Sequence, residues 1–373
     1  MARAVDGVSF TVEQGRSFCL VGESGCGKSV TVLSILDLLP SPPDRVLGGE
    51  ALFEGEDLLM LRGESGRPRL NSLRGSRIGM IFQEPMTSLN PVFRVGEQVA
   101  EPLRLHRGMG KKDALDRAVE LLEQVGIKAP SQRARDYPHQ LSGGMRQRVM
   151  IAMAMACNPA LLIADEPTTA LDVSVQGQIL DLMREMRESS GSALLMITHD
   201  LDVVTRSADD MAVMYAGKIV ESGAVAEVMS NPLHPYTAGL IASRPRLSRP
   251  SRLARPGSAD NLVNQGSLHN QVGTVTGEDA PGLARAVAQA RHERLASIPG
   301  TVPPPLERPQ GCAFSNRCPR VMERCRMEMP ELVPVGTSGG TSATGMTETA
   351  GTAGSSGSTV AGSGRLCRCW LHQ

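Results

Sequence analysis

The chain has 373 residues, with 39 Lys+Arg against 39 Asp+Glu, 41% hydrophobic and 3% aromatic residues; this is the profile of one or two globular domains and excludes a wholly disordered chain. Balanced charge disfavours nucleic-acid binding through bulk electrostatics. The longest apolar run, residues 149–164, is broken by Asn158 and Pro159 and falls short of a membrane span, while the opening MARAVDGVSF lacks the apolar core of an export signal, so a cytosolic chain is expected.

In chain order, the runs SFCLVG, RIGMIF, ALLIAD, SALLMIT and DMAVMYAG each predict a short buried strand. Helical segments between them predict an α/β core with a mainly parallel sheet over residues 1–232. Residues 22–29, GESGCGKS, follow the first run and precede the apolar VTVLSILDLL, so the pattern G-x4-G-K-S sits in a strand, loop, helix context. Glycines there let backbone N–H groups turn inward around phosphates. Gly22, Glu23, Ser24, Gly25, Cys26 and Gly27 form the predicted cradle, Lys28 reaches the β- and γ-phosphates, and Ser29 ligates magnesium.

Between residues 85 and 150 the period becomes helical, with Ala114, Leu115, Ala118, Leu121, Leu122 and Val125 on one face. This reads as a helical insert in the α/β core. Near its end, LSGGMRQ offers Ser142 as an N-cap, then Gly143 and Gly144, then an apolar helix over residues 145–156. A hydroxyl and bare amides at the positive end of a helix suit phosphate. The strand LLIAD ends in Asp165 and Glu166, one carboxylate suited to holding magnesium and one to polarising the attacking water.

After Pro232 the composition changes. Residues 233–373 read as a C-terminal extension with low-complexity inserts at about 249–297, holding one helix over residues 283–295, and at about 336–364, where Gly, Ser, Thr and Ala predict disorder. Five of the eight cysteines lie beyond residue 311. Cys312, Cys318 and Cys325 form C-x5-C-x6-C, and Cys367 and Cys369 follow the second insert. Thiolates without a clustered histidine suit zinc or an iron-sulfur cluster, although the spacing is not that of common zinc sites. Inert tail cysteines are the alternative.

These motifs, in this order, resemble those of ABC-type ATPases. The segments YPHQLSGGMRQRVMIAMAMA, FQEPMTSLNPV, LLIADEPTTALDVSVQ, NPLHPYTAGLIAS and GCAFSNRCPRVMERC look like the ATP-binding subunit of a dipeptide/oligopeptide importer, a group that includes nickel importers. The resemblance covers residues 1–245, 298–333 and the last few. It implies a P-loop NTPase core with a mainly parallel sheet, a helical insert carrying the ABC signature and a cysteine-containing C-terminal extension. ATP and Mg2+ are the implied ligands, with Ser29, Gln83 and Asp165 at the magnesium. By the same resemblance, Ser142, Gly143 and Gly144 close over ATP held by a partner subunit, and Asp172 contacts that subunit. Catalysis is implied for Glu166, for Gln83 as a sensor of the attacking water and for His199 at the γ-phosphate. Cys312, Cys318, Cys325 and Cys369 are the implied ligands of a [4Fe-4S] cluster, Cys369 being preferred to Cys367 because Trp-Leu follows it.

The implied partners are a second ABC ATPase subunit, identical or homologous, two transmembrane permeases and an extracytoplasmic solute-binding protein, which places the chain peripherally at the cytoplasmic face of the inner membrane. Two departures stand out. Met145 occupies a position where many family members carry glutamine, and the first strand and adenine-stacking aromatic residue are expected ahead of AVDGVSF. The nucleotide core reads as complete without the tail. Alternatives are import of nickel or another small solute, a non-transport ABC ATPase and a redox sensor. A DNA-repair ATPase would carry a long heptad arm between Lys28 and Leu141, which is missing; a translation factor of the superfamily would carry two cassettes. Glu166 and His199 argue against a redox sensor with a vestigial ATPase.

Overall fold

The apolar runs become strands because β-branched and aliphatic side chains fit a sheet covered on both faces. The computed structural model describes residues 2–40, 44–169, 171–244, 297–335 and 364–373. Its strands are β1 (Ser17–Val21), β2 (Leu52–Phe53), β3 (Glu56–Asp57), β4 (Ile78–Ile81), β5 (Leu161–Asp165), β6 (Ala193–Thr198), β7 (Asp210–Tyr215), β8 (Lys218–Ala224), β9 (Val333–Pro334) and β10 (Leu366–Cys367). Among the described residues β2 and β3 form a separate hairpin, and the other strands form one sheet in the order β4-β5-β6-β1-β7-β8-β10-β9. From β4 to β7 every pairing is parallel; β8, β10 and β9 add on antiparallel.

Two compact units are present, Met1–Ala238 with Pro299–Gln373, and Gly239–Ile298. In the first, Leu20, Val32, Ile163, Leu195, Ile197, Ala212 and Met214 fill the core. Between β4 and β5 lie the helices Val95–Arg107, Lys111–Gln124 and Gly143–Met155. Val99, Ala114, Ala118, Leu122 and Ile151, at helical spacing within their segments, are fully buried, as the 3.6-residue period requires. No helix among the described residues is long and apolar enough to cross a membrane. Residues 4–12 form no strand; Val5, Val8, Phe10 and Val12 pack on the core instead, with the Phe10 ring stacked 5.2 Å from that of Phe18.

The tail joins the nucleotide core at the far edge of its sheet. Leu366 and Cys367 pair with Ser222 and Glu221 of β8, so the tail extends the core sheet and covers an edge that would otherwise present unpaired backbone groups. Beneath this junction Glu221 is fully buried. Its carboxylate accepts from Leu233 N at 2.9 Å, His234 N at 2.9 Å and the Arg365 guanidinium at 2.7 Å. The low-complexity inserts and the helix expected over residues 283–295 lie outside the described residues, save for the last residue of each insert.

Candidate functional site

Parallel strands present their C-terminal ends at one edge, where an open α/β sheet binds its ligands. Register aligns Val21 with Thr198, Asp165 with Ile197, and Ile81 with Ala164. The phosphate loop after β1, the carboxylates at the end of β5, His199 after β6 and Gln83 after β4 are thereby delivered to the same edge.

The loop turns sharply into the helix Lys28–Ile35. Gly27 has φ 108°, a conformation only glycine adopts without strain, and a Cβ on Gly22 would collide with the carbonyl oxygen of Met214. Lys28 is buried and its ammonium donates to the carbonyl oxygens of Gly22 at 2.8 Å and Glu23 at 3.1 Å. This inward bonding pins the loop as a ring of backbone amides at a helix N-terminus. Ser29 Oγ donates to Asp165 Oδ1 at 2.9 Å, so two hard oxygen donors suited to magnesium stand together. Burial pushes the Asp165 carboxyl up, and the charge of Glu166 adds to the rise against the Ser29 hydrogen bond and Lys28.

Glu166 gathers the remaining polar groups. Its Oε2 accepts from Thr169 Oγ1 at 2.9 Å and Gln83 Nε2 at 3.2 Å, and its Oε1 lies 3.2 Å from His199 Nδ1. Burial acts to raise this carboxyl, but the hydrogen bonds of Thr169 and His199 outweigh it and hold Glu166 below its ordinary value. Its backbone sits at φ 45°, a left-handed conformation unusual for a side-chain-bearing residue and typical of functional sites. Thr169 was not expected here from sequence; its only local signal is a hydroxyl three residues after Glu166.

Ser142, Gly143, Gly144 and Asp172 are brought together elsewhere, lining one open groove that includes none of residues 22–29. Ser142 caps the helix Gly143–Met155 by accepting from Met145 N at 3.4 Å. Asp172 caps the helix Val173–Ser190 through Val175 N at 2.9 Å. Exposed amides and a hydroxyl at a helix start leave this groove able to receive phosphate from outside.

In the tail, Cys312, Cys318, Cys325 and Cys369 line a single cavity, together with His234 and Phe314. Cys367 is fully buried in β10 and does not line it. Burial pushes the Cys312 thiol up to about 11, with the neighbouring thiols adding to the rise, and also raises Cys318 and Cys369. Among the described residues no group of three or more Cys, His, Asp or Glu forms a ready-made metal-ligand set. The donor chemistry, four thiols around one cavity, nevertheless suits a soft metal.

The segment between these cysteines also reaches the phosphate loop. Arg317 donates to both carboxylate oxygens of Glu23, at 3.0 and 3.2 Å, and Tyr236 Oη accepts from Glu23 N at 2.9 Å. No local sequence signal announces either contact, since they join positions 294 and 213 residues apart.

Comparison with known proteins agrees with this geometry. Residues 5–169 match the ABC transporter family, and residues 220–267 and 281–325 match the oligopeptide/dipeptide transporter C-terminal region. A putative peptide import ATP-binding protein of Brucella melitensis is 46% identical over 347 residues, 91% of this chain and 90% of that protein. The dipeptide transport ATP-binding protein DppD of Escherichia coli is 43% identical over 330 residues, 88% of this chain and 87% of that one. Among solved structures, a dimeric ATP-binding cassette in a post-hydrolysis state bound to ADP and Pi superposes with a TM-score of 0.52 at 29% identity, covering 60% of this chain and 90% of that one. The chain belongs to the ATP-binding subunits of the dipeptide/oligopeptide importer family of ABC transporters, and is an ABC ATPase.

Proposed function

We propose that this subunit powers import of di- or oligopeptides, closing on ATP against a second ATPase subunit and reopening after hydrolysis. The observation that carries the reading is the convergence of Gln83, Thr169 and His199 on Glu166, beside the Ser29–Asp165 pair at the end of the phosphate loop. Residues 22–29 cradle the phosphates. Lys28 turns its ammonium from the loop carbonyls to the β- and γ-phosphates, exchanging one set of oxygens for another. Ser29, Asp165 and Gln83 hold magnesium, which offsets phosphate charge when bound. Glu166, held in place by its partners, takes the proton of the attacking water, and His199 donates to the γ-phosphate.

Ser142, Gly143, Gly144 and Asp172 complete the site of the partner subunit, a role supported by their separation into a groove without loop residues and by the dimeric cassette that this chain resembles. The subunit sits peripherally at the cytoplasmic face of the inner membrane, with two transmembrane permeases and an extracytoplasmic solute-binding protein as partners. Cys312, Cys318, Cys325 and Cys369 hold an iron-sulfur cluster; thiolate ligation suits such a group, and their shared cavity supports the assignment. Bound there, it supplies a fixed cross-link for the tail.

Uptake in cells lacking this chain tests the substrate class. A labelled oligopeptide should no longer accumulate while nickel uptake persists; loss of nickel uptake with normal peptide uptake would overturn the peptide reading.

A further inference from the structure

Glu23 is an acid placed in a loop that must accept a polyanion, and each of its groups is held. Its carbonyl oxygen accepts from Lys28, its N–H donates to Tyr236, and its carboxylate is paired by Arg317. Arg317 is itself fixed from several sides. The side chain is only 7% exposed, its Nε donates to Pro299 O at 2.8 Å, and its guanidinium lies 5.8 Å from the Tyr215 ring centroid and 6.0 Å from that of Phe314. Phe314 packs against Tyr215, Tyr236 and His234. A buried aromatic cluster thus carries a planar cation to the second residue of the phosphate loop, in the bidentate geometry that favours arginine over lysine.

We propose that Arg317 is a positioning residue of the nucleotide site, which clamps and neutralises Glu23 so that the phosphate loop accepts ATP. The inference rests on the reading that residues 22–29 hold the nucleotide phosphates. Without Arg317, an uncompensated carboxylate stands beside the incoming phosphates, and like charges repel more strongly where protein lowers the local dielectric. The segment bearing the cysteine set is thereby wired to nucleotide affinity through one side chain. A role confined to packing the tail would make no demand on the charge of Glu23.

The test is equilibrium binding of a fluorescent ATP analogue to the purified full chain. Arg317→Gln should weaken binding about tenfold, the scale of losing one charge-pair contact. Adding Glu23→Gln to that variant should restore affinity to within about threefold of wild type, because the repelling charge is gone. Arg317→Lys, which keeps the charge but not the fork, should fall between. Lys28→Ala is the reference: if it too binds normally, the phosphate-loop reading fails, and the proposal with it. If Lys28→Ala loses binding while Arg317→Gln keeps it, or if Glu23→Gln fails to rescue Arg317→Gln, the proposal alone is overturned. Should Arg317→Gln not fold, Arg317→Lys with and without Glu23→Gln carries the same comparison, rescue supporting the proposal and its failure sinking it.

Discussion

Glu221→Gln isolates the contribution of one buried carboxylate to docking of the tail. Glu221 is fully buried and bonds two backbone N–H groups and Arg365, itself almost wholly buried. The glutamine keeps the shape but removes the charge and one of the two acceptor oxygens, leaving the Arg365 cation in the interior with neutral partners such as Asn231 O. Removing one member of a buried pair costs about 3 to 5 kcal/mol, because the other charge stays desolvated and uncompensated. That cost falls on the strands that the pair fastens, so it is capped by the free energy holding β10 to β8. Hydrogen exchange of the intact chain reads it directly. Arg368 N, bonded to Val220 O at 2.8 Å, and Val335 N, bonded to Arg365 O at 2.9 Å, report the junction. Both amides should exchange about a hundredfold faster in the variant if opening is local, while amides of β5 and β6 keep wild-type protection. Unchanged exchange at Arg368 and Val335 would refute the idea that Glu221 fastens the tail.

Lys28→Ala should weaken nucleotide binding by isolated subunits, whereas Ser142→Arg should leave monomer binding near wild type and abolish ATP-driven dimerisation on gel filtration; equal loss of monomer affinity would contradict a site shared between subunits. Burial, with His372 and Arg368 adding to it, pushes the His234 imidazole from 6.5 down to about 3. The unfolded chain therefore binds the extra proton first, so the stability held by neutral His234 is full above pH 6.5 and drains as pH falls toward 3, by at most about 1.4 kcal/mol per pH unit. In urea melts between pH 6.5 and 5, His234→Gln should lose stability less steeply than wild type, and parallel curves would exclude this origin. Anaerobically purified protein should contain about four iron per chain and lose them on Cys318→Ser; stoichiometric zinc would replace the iron-sulfur reading, and metal-free wild-type protein would end it.

Much of the nucleotide edge was legible because its chemistry is local. A phosphate loop needs its glycines, lysine and serine within eight consecutive positions, and the strands that carry Gln83, Asp165 and His199 are apolar runs long enough to read by period. β8 escaped the same reading, since KIVESGA mixes polar and apolar residues and hides a charge, Glu221, that is neutralised by Arg365 from 144 residues away. β9 and β10 hold two residues each, too short for any period to show. The tail's cysteines could be counted in sequence, but its grip on Glu23 depends on Tyr215, Tyr236 and Phe314 meeting in space. Long-range aromatic packing of this kind leaves no spacing to recognise.

We propose that Glu166, held by Gln83, Thr169 and His199, activates water for ATP hydrolysis. Glu166→Gln in the assembled transporter should bind ATP as wild type does and hydrolyse it at least about a hundredfold more slowly, the usual contribution of a general base. ATPase activity near wild type in that variant would rule out Glu166 as the general base.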